Sequence, residues 1–125
     1  MKKLFRTLAP AFTVFIFSCL VSADDFKSLT ISGGTADQPL PRVHADQFMV
    51  IRNFTQEGGS DRGFVTVTQL RTGDVAKVLT AAILDTTTNA PDVINSIVIA
   101  GPADVSVTCG TTTGNCFVSY KKDNN

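Results

Sequence analysis

The sequence has no tryptophan and only one histidine (His44), one glutamate (Glu57) and one tyrosine (Tyr120). The sequence contains no G-x-S-x-G motif, so nothing in it indicates a Ser-His-Asp catalytic triad. The scarcity of glutamate, together with abundant threonine, disfavours long helices and favours strands. The composition therefore predicts an all-β protein without a recognisable catalytic motif.

No hydrophobic run reaches the ~20 residues that a membrane-spanning helix needs. The longest apolar run, residues 11–21, follows a basic start and ends at the small residues of Val21-Ser22-Ala23. These three parts are typical of a bacterial signal peptide that is cleaved after Ala23. The sequence thus predicts a signal peptide over residues 1–23 and one exported domain over residues 24–125, in the periplasm or outside the cell.

The chain has three cysteines, and Cys19 lies inside the predicted signal peptide. A lipoprotein anchored at Cys19 is a minor alternative, because Ser18 suits such a signal but the bulky Phe17 does not. Cleavage after Ala23 leaves Cys109 and Cys116, which are predicted to form a disulfide in an oxidising compartment. Their spacing is too wide for a redox pair, and no further ligand suggests zinc.

The stretch CGTTTGNC between these cysteines predicts a hairpin with the disulfide at its tip. If the two cysteines face each other, Val107 faces Val118 and Val105 faces Tyr120, which puts every valine on one side of the pair. The threonines of residues 111–113 are then an exposed loop tip. A hairpin disulfide near the end of the chain is therefore part of the predicted fold.

The precursor carries 11 Lys and Arg against 11 Asp and Glu. Loss of Lys2, Lys3 and Arg6 with the signal peptide leaves 8 against 11, a net charge of −3. A weakly acidic chain with cations scattered along the sequence predicts no nucleic-acid partner and no stable membrane association. Lys121 and Lys122 are predicted to be a solvated chain end.

Short β-branched segments separated by Gly, Pro and Asp predict about seven antiparallel strands in a single small β-sandwich. The architecture is predicted to be immunoglobulin-like or jelly-roll-like, by analogy only. The predicted strands are residues 26–31, 46–54, 64–70, 75–84, 93–100 and the two strands of the disulfide hairpin, with an extended loop over 35–41.

Residues 75–84 fit two structures. Apolar residues recur at helical spacing from Val75, with Asp74 available as an N-cap, so a short helix is one alternative. As a strand, the segment pairs with 64–70 and places Ala76, Val78, Ala82 and Leu84 near Val65 and Val67. The strand is favoured because both flanking segments are β-like.

The polar residues offer few sets of metal ligands or catalytic groups. His44 and Asp46 are two metal-ligand types without a third. Two loops contain the oxygen ligands that calcium prefers, Glu57, Ser60 and Asp61 in one and Asp85, Asn89 and Asp92 in the other, but neither has a known calcium spacing. The sequence therefore predicts no metal site, no cofactor and no catalytic residue, and the chain is predicted not to be an enzyme.

These observations favour a non-catalytic module that binds an envelope protein or a glycan through its loops or an edge strand. One alternative is a self-assembling surface or appendage subunit whose N-terminal arm, residues 24–32, completes a neighbour's sheet. A second alternative is a small secreted hydrolase that uses His44 or paired aspartates. The sequence leaves the oligomeric state open.

Overall fold

The structure is a computed structural model that describes residues 26–84 and 95–125. The predicted signal peptide, the cleavage site and residues 85–94 lie outside the described residues. The described chain is all-β and contains no helix, so it has no helix that could cross a membrane. Its strands are β1 (Lys27–Ser32), β2 (Gln38–Pro39), β3 (Gln47–Gln56), β4 (Phe64–Gln69), β5 (Val75–Thr80), β6 (Ala82–Ile83), β7 (Ser96–Ala100), β8 (Ala103–Thr108) and β9 (Asn115–Asn124).

The strands form two sheets that pack as a sandwich. The five-stranded sheet has the order β1-β9-β3, and β7 and β6 both pair with β3 on its other flank. The four-stranded sheet has the order β2-β8-β4-β5. All pairings are antiparallel except the short parallel one between β3 and β6. The predicted β-sandwich is therefore confirmed.

The core lies between the sheets and is built by the period-two alternation of the strands. In β8, for example, Ala103, Val105 and Val107 are buried while the residues between them are partly exposed. Each large apolar side chain buried in this way contributes about 1.5–3 kcal/mol. The largest fully buried apolar side chains are Phe54, Met49, Ile51, Val43, Val65, Val107 and Val118.

The 75–84 segment forms the strands β5 and β6 and no helix, which confirms the favoured prediction of a strand over a helix. β5 pairs antiparallel with β4 across the short turn after Gln69, and Val67 lies opposite Ala76. The segment does not stay in one sheet, however. At the buried Ala81 the chain crosses over, and Ala82 joins the five-stranded sheet opposite Thr55. The prediction that Ala82 and Leu84 lie beside Val65 and Val67 is therefore wrong.

The last two strands do not pair with each other, so the predicted hairpin register is also wrong. β8 pairs with β2 and β4, and β9 pairs with β1 and β3 in the other sheet. Val107 lies opposite Val65, and Val118 lies opposite Leu29. Alternation correctly predicted that the valines point into the core, but strands that face each other from opposite sheets satisfy the same pattern.

A bulge interrupts β3 where its register with β9 shifts between Arg52 and Thr55. Asn53 has a φ of 55°, a left-handed conformation that asparagine tolerates better than most residues. The side chain of Asn95 supports the bulge: its Oδ1 accepts from the N–H of Phe54 at 2.9 Å, and its Nδ2 donates to the carbonyl oxygen of Thr80 at 2.6 Å. Asn95 thereby ties β3 to β5 across the two sheets.

Candidate functional site

The disulfide joins the two sheets at one end of the sandwich. Cys109 follows β8 and Cys116 lies in β9, and their Cα atoms are 5.7 Å apart. The predicted pairing of these cysteines is confirmed, although the bond links two sheets and not the two strands of a hairpin. Cys116 is fully buried and belongs to the core.

Gln56 is fully buried beside this disulfide and has all its hydrogen-bonding groups paired. Its Nε2 donates to the carbonyl oxygens of Gly58 at 2.8 Å and Asp61 at 2.7 Å. Its Oε1 accepts from the N–H groups of Gly63 at 2.7 Å and Gly110 at 3.2 Å. One side chain therefore holds the 57–63 loop against the loop that carries Cys109.

The loops at this end pack backbone against backbone. We call residues 33–34, 56–63 and 109–115 the stapled end. Seven of the nine glycines lie in it, and a Cβ added to Gly33 or Gly110 would meet the backbone of a neighbouring loop. Thr111 is buried, and its hydroxyl accepts from the N–H of Gly114 at 3.1 Å. The prediction of an exposed threonine tip therefore holds for Thr112 and Thr113 but is wrong for Thr111.

The residues singled out as metal or catalytic candidates do not converge. His44 lies in an exposed turn, and the N–H of His44 donates to Oε1 of Gln47 at 3.2 Å. The carboxylate of Glu57 accepts a hydrogen bond from the N–H of Asn115 at 2.9 Å, which holds the loop that contains Glu57 against the start of β9. In residues 26–84 and 95–125, no three His, Cys, Asp or Glu side chains are grouped to hold a metal ion. The loop with Asp85, Asn89 and Asp92 lies outside the described residues.

One ion pair perturbs a titratable group. Nε of Arg42 lies 2.7 Å from Oδ1 of Asp104 and Nη2 lies 3.0 Å from Oδ2, a two-point contact between exposed side chains. This hydrogen bonding, with the negative charge of Asp104, raises the pKa of Arg42. Because Arg42 stays protonated near neutral pH, it forms a surface contact with Asp104 and does not act as a proton donor or acceptor in catalysis.

Basic side chains and two aromatic rings border two adjoining hollows along β1, β9 and β3, away from the disulfide. The larger, a cavity of about 500 Å³, is lined by Phe26, Lys27, Pro41, Tyr120, Lys121 and Lys122. The smaller, of about 230 Å³, is lined by Phe26, Arg52, Asn53 and Ser119. We call these two hollows together the basic cleft. No lining residue is acidic, and both hollows share Phe26.

Three of the four cations that line the basic cleft make contacts that position their side chains. The guanidinium carbon of Arg52 lies 5.5 Å from the centroid of the Phe26 ring, and Nζ of Lys121 lies 5.3 Å from it. Lys121 also pairs with Asp123 at 3.2 Å, and Nζ of Lys122 donates to the carbonyl oxygen of Arg42 at 3.2 Å. The side chain of Lys121 is only 21% exposed. The prediction of a solvated basic tail is therefore wrong.

In the part of the chain that the structure describes, the five-stranded sheet has an unpaired edge on each side. Within the described residues, β1 pairs only with β9, and β7 pairs only with β3, both in continuous register. The four-stranded sheet differs: its β2 edge is two residues long and contains Pro39, and its β5 edge has a register shift against β4 and carries the exposed Lys77. Proline, shortness, bulges and exposed lysines are devices that oppose strand addition, so the five-stranded sheet has the more open edges.

Comparison with known proteins gives a fold and no family. No family model and no curated protein matches the chain. Among solved structures, the chain is similar to a protein of Bacillus endospore appendages, which are described as a novel family of disulfide-linked pili. The TM-score is 0.50 at 8% identity, over 80% of this chain and 85% of that one. Such a likeness shows a shared fold alone.

Proposed function

We propose that this chain is an exported structural subunit that assembles with copies of itself into a surface appendage. The sandwich shares its fold with an appendage protein. The Cys109–Cys116 disulfide is typical of exported proteins. The observation that carries the proposal is the pair of open edges, β1 and β7, on opposite sides of one sheet.

Open edges on opposite sides of one sheet allow copies of the protein to join into an assembly of unlimited length. If β1 of one copy pairs with β7 of the next, each copy still has one free edge, so the contact is head-to-tail and need not close. Backbone hydrogen bonds supply such a contact without any special sequence. Lys27–Ser32 already pairs with β9 of its own chain, which corrects the expectation that this arm is kept for a neighbour's sheet.

Assembly of this chain is proposed to be non-covalent. The related pili are described as disulfide-linked. Here Cys109 and Cys116 are bonded to each other, and Cys19 lies in the predicted signal peptide. We therefore expect the assembled form to dissociate to monomers in detergent without a reducing agent, as gel electrophoresis would show.

Two matched valines test the edge contact. Val98 in β7 and Val75 in β5 are each 65% exposed and each lie in an edge strand. A lysine at the centre of an edge strand opposes strand addition, because its charge would be buried by the incoming strand. We expect Val98→Lys to abolish the oligomers of the exported protein in light scattering and electron microscopy, and Val75→Lys to leave them intact.

Two results would refute the proposal. One is a wild-type protein that stays monomeric at high concentration. The other is assembly that survives both Val98→Lys and Thr30→Lys, a second variant that places a lysine at an exposed position of β1. Thermal unfolding of each variant checks that the monomer is folded. A non-catalytic role of this kind is consistent with the prediction that the chain is not an enzyme, which stays a prediction.

A further inference from the structure

The basic cleft concentrates positive charge in a chain that is otherwise acidic. Four of the eight Lys and Arg that remain after the predicted signal peptide line it, namely Lys27, Arg52, Lys121 and Lys122. The predicted mature chain as a whole carries three more acids than bases. Lys27, Arg52 and the adjacent pair Lys121 and Lys122 come from three separate parts of the sequence, and the pairing of β1, β9 and β3 brings them together.

The arrangement of these four cations favours binding of a ligand with several negative charges. Phe26 holds the charged groups of Arg52 and Lys121 near one ring, so less side-chain freedom is lost when an anion binds. Lys27 lies opposite Tyr120 in the β1–β9 pairing, and Lys122 is anchored to the Arg42 carbonyl. Cations therefore border both hollows, on either side of Phe26.

The cleft suits a polar ligand better than a protein. Tight protein contacts depend on large apolar anchors that enter well-packed pockets. In the described residues, the exposed large apolar side chains, Leu70, Val75, Val98 and Phe117, do not line the cleft. The two hollows share Phe26, and this elongated arrangement fits a linear polymer that extends across Phe26 from one hollow to the other.

The aromatic rings of the cleft do not offer a platform for nucleic-acid bases. Proteins that bind single strands stack bases on free ring faces. Here the Phe26 ring is engaged by two cations, and Tyr120 packs against the core. The chemistry that remains is recognition of anionic groups on a polymer without bases.

We propose that the basic cleft binds a linear anionic polysaccharide through the carboxylate or sulfate groups on its sugars. Lys121 and Lys122 contact these groups in the larger hollow, and Arg52 contacts them in the smaller one. Phe26 is a positioning residue that orients Arg52 and Lys121. The binding goes beyond self-assembly and does not depend on it.

The test measures binding of the exported, disulfide-bonded protein to five polymers by calorimetry. Polygalacturonate supplies carboxylates and dextran sulfate supplies sulfates, so the two separate the possible sources. Unmodified dextran, oligo-dT and polyglutamate represent the neutral, nucleic-acid and acidic-polypeptide alternatives. We expect one or both anionic polysaccharides to bind, with an affinity that falls as salt screens the charges.

Two double variants with the same change in charge locate the site. Lys121→Gln with Lys122→Gln is expected to weaken binding about tenfold, because each surface charge contributes up to about 1 kcal/mol. Arg71→Gln with Lys77→Gln removes two cations outside the cleft and is expected to change affinity less than about twofold. Lys77 is a close match, since its Nζ also lies over an aromatic ring, 3.9 Å from the centroid of Phe64.

Two further variants keep the proposal falsifiable. If the first double variant does not fold, Lys27→Gln with Lys122→Gln replaces it. Asp123→Asn removes the carboxylate that lies 3.2 Å from Nζ of Lys121 and is expected to strengthen binding. The proposal is overturned if neither anionic polysaccharide binds, if both double variants weaken binding equally, or if oligo-dT or polyglutamate binds more tightly than the polysaccharides.

Discussion

The stapled end lies where β3 and β9 reach the disulfide, the basic cleft lies farther along the same strands, and the two are built by opposite means. At the stapled end, glycines bring backbone against backbone, and Gln56 and the disulfide fill the remaining space. At the cleft, long charged side chains surround open hollows. The comparison indicates that the first end serves stability and that the second is free to bind. The predictions below test that division.

The largest expected loss of stability comes from Gln56→Leu. The substitution replaces the polar amide with an apolar group of similar size and leaves two N–H groups and two carbonyl oxygens, buried or partly buried, without their partner. Since each unsatisfied buried group costs about 1–3 kcal/mol, we expect a loss of at least about 3 kcal/mol. Denaturant unfolding measures it. A loss below about 1 kcal/mol would show that water replaces these bonds, and that the stapled end is less closed than described.

Removal of the disulfide is expected to have the next largest effect. Cys109→Ser with Cys116→Ser opens a ring of seven-residue separation, which costs about 2.5 kcal/mol in the loop-entropy description. The same loss is expected for the wild type when it unfolds in reducing agent. If the reduced and oxidised proteins unfold at the same denaturant concentration, the bond contributes nothing to the stapled end.

The smallest expected effect is at the cleft. Phe26→Leu removes the ring that holds Arg52 and Lys121 but keeps an apolar side chain. Cation–π contacts at exposed sites contribute about 0.5–1 kcal/mol each, so we expect the loss of two to lower stability by about 1–2 kcal/mol in thermal unfolding. A loss comparable with that of Gln56→Leu would contradict the division of roles, because the cleft would then be part of the stabilising framework.

Local patterns predicted much of the fold. The β-branched run of β4 and the alternation of β8 predicted strands with the correct inward faces. Cys109 and Cys116 are the two cysteines left after the predicted signal peptide, and this predicted their bond. Alternation records only which side chains face the core, however, and not which sheet a strand joins. The assignment of β8 and β9 to one hairpin failed for that reason, as did the continuation of β5 past Ala81.

The sites were harder to predict than the strands, because they join residues that are distant in the sequence. Phe26, Arg52 and Lys121 meet only because β9 lies between β1 and β3. A count of charges along the sequence does not show which cations lie close together in the fold, so it could not predict the basic cleft. Gln56 has no sequence signal either, since a glutamine at the end of a strand is ordinarily exposed.

The disulfide also makes the stability of the protein depend on redox conditions. Under reducing conditions Cys109 and Cys116 remain thiols, so the free energy of unfolding is lower before oxidation than after it. For a chain exported as proposed, the reduced form is therefore the one that unfolds more easily for passage through a narrow channel. Oxidation then closes the sandwich at one end, and the protein has its full stability only where the two sulfurs are oxidised.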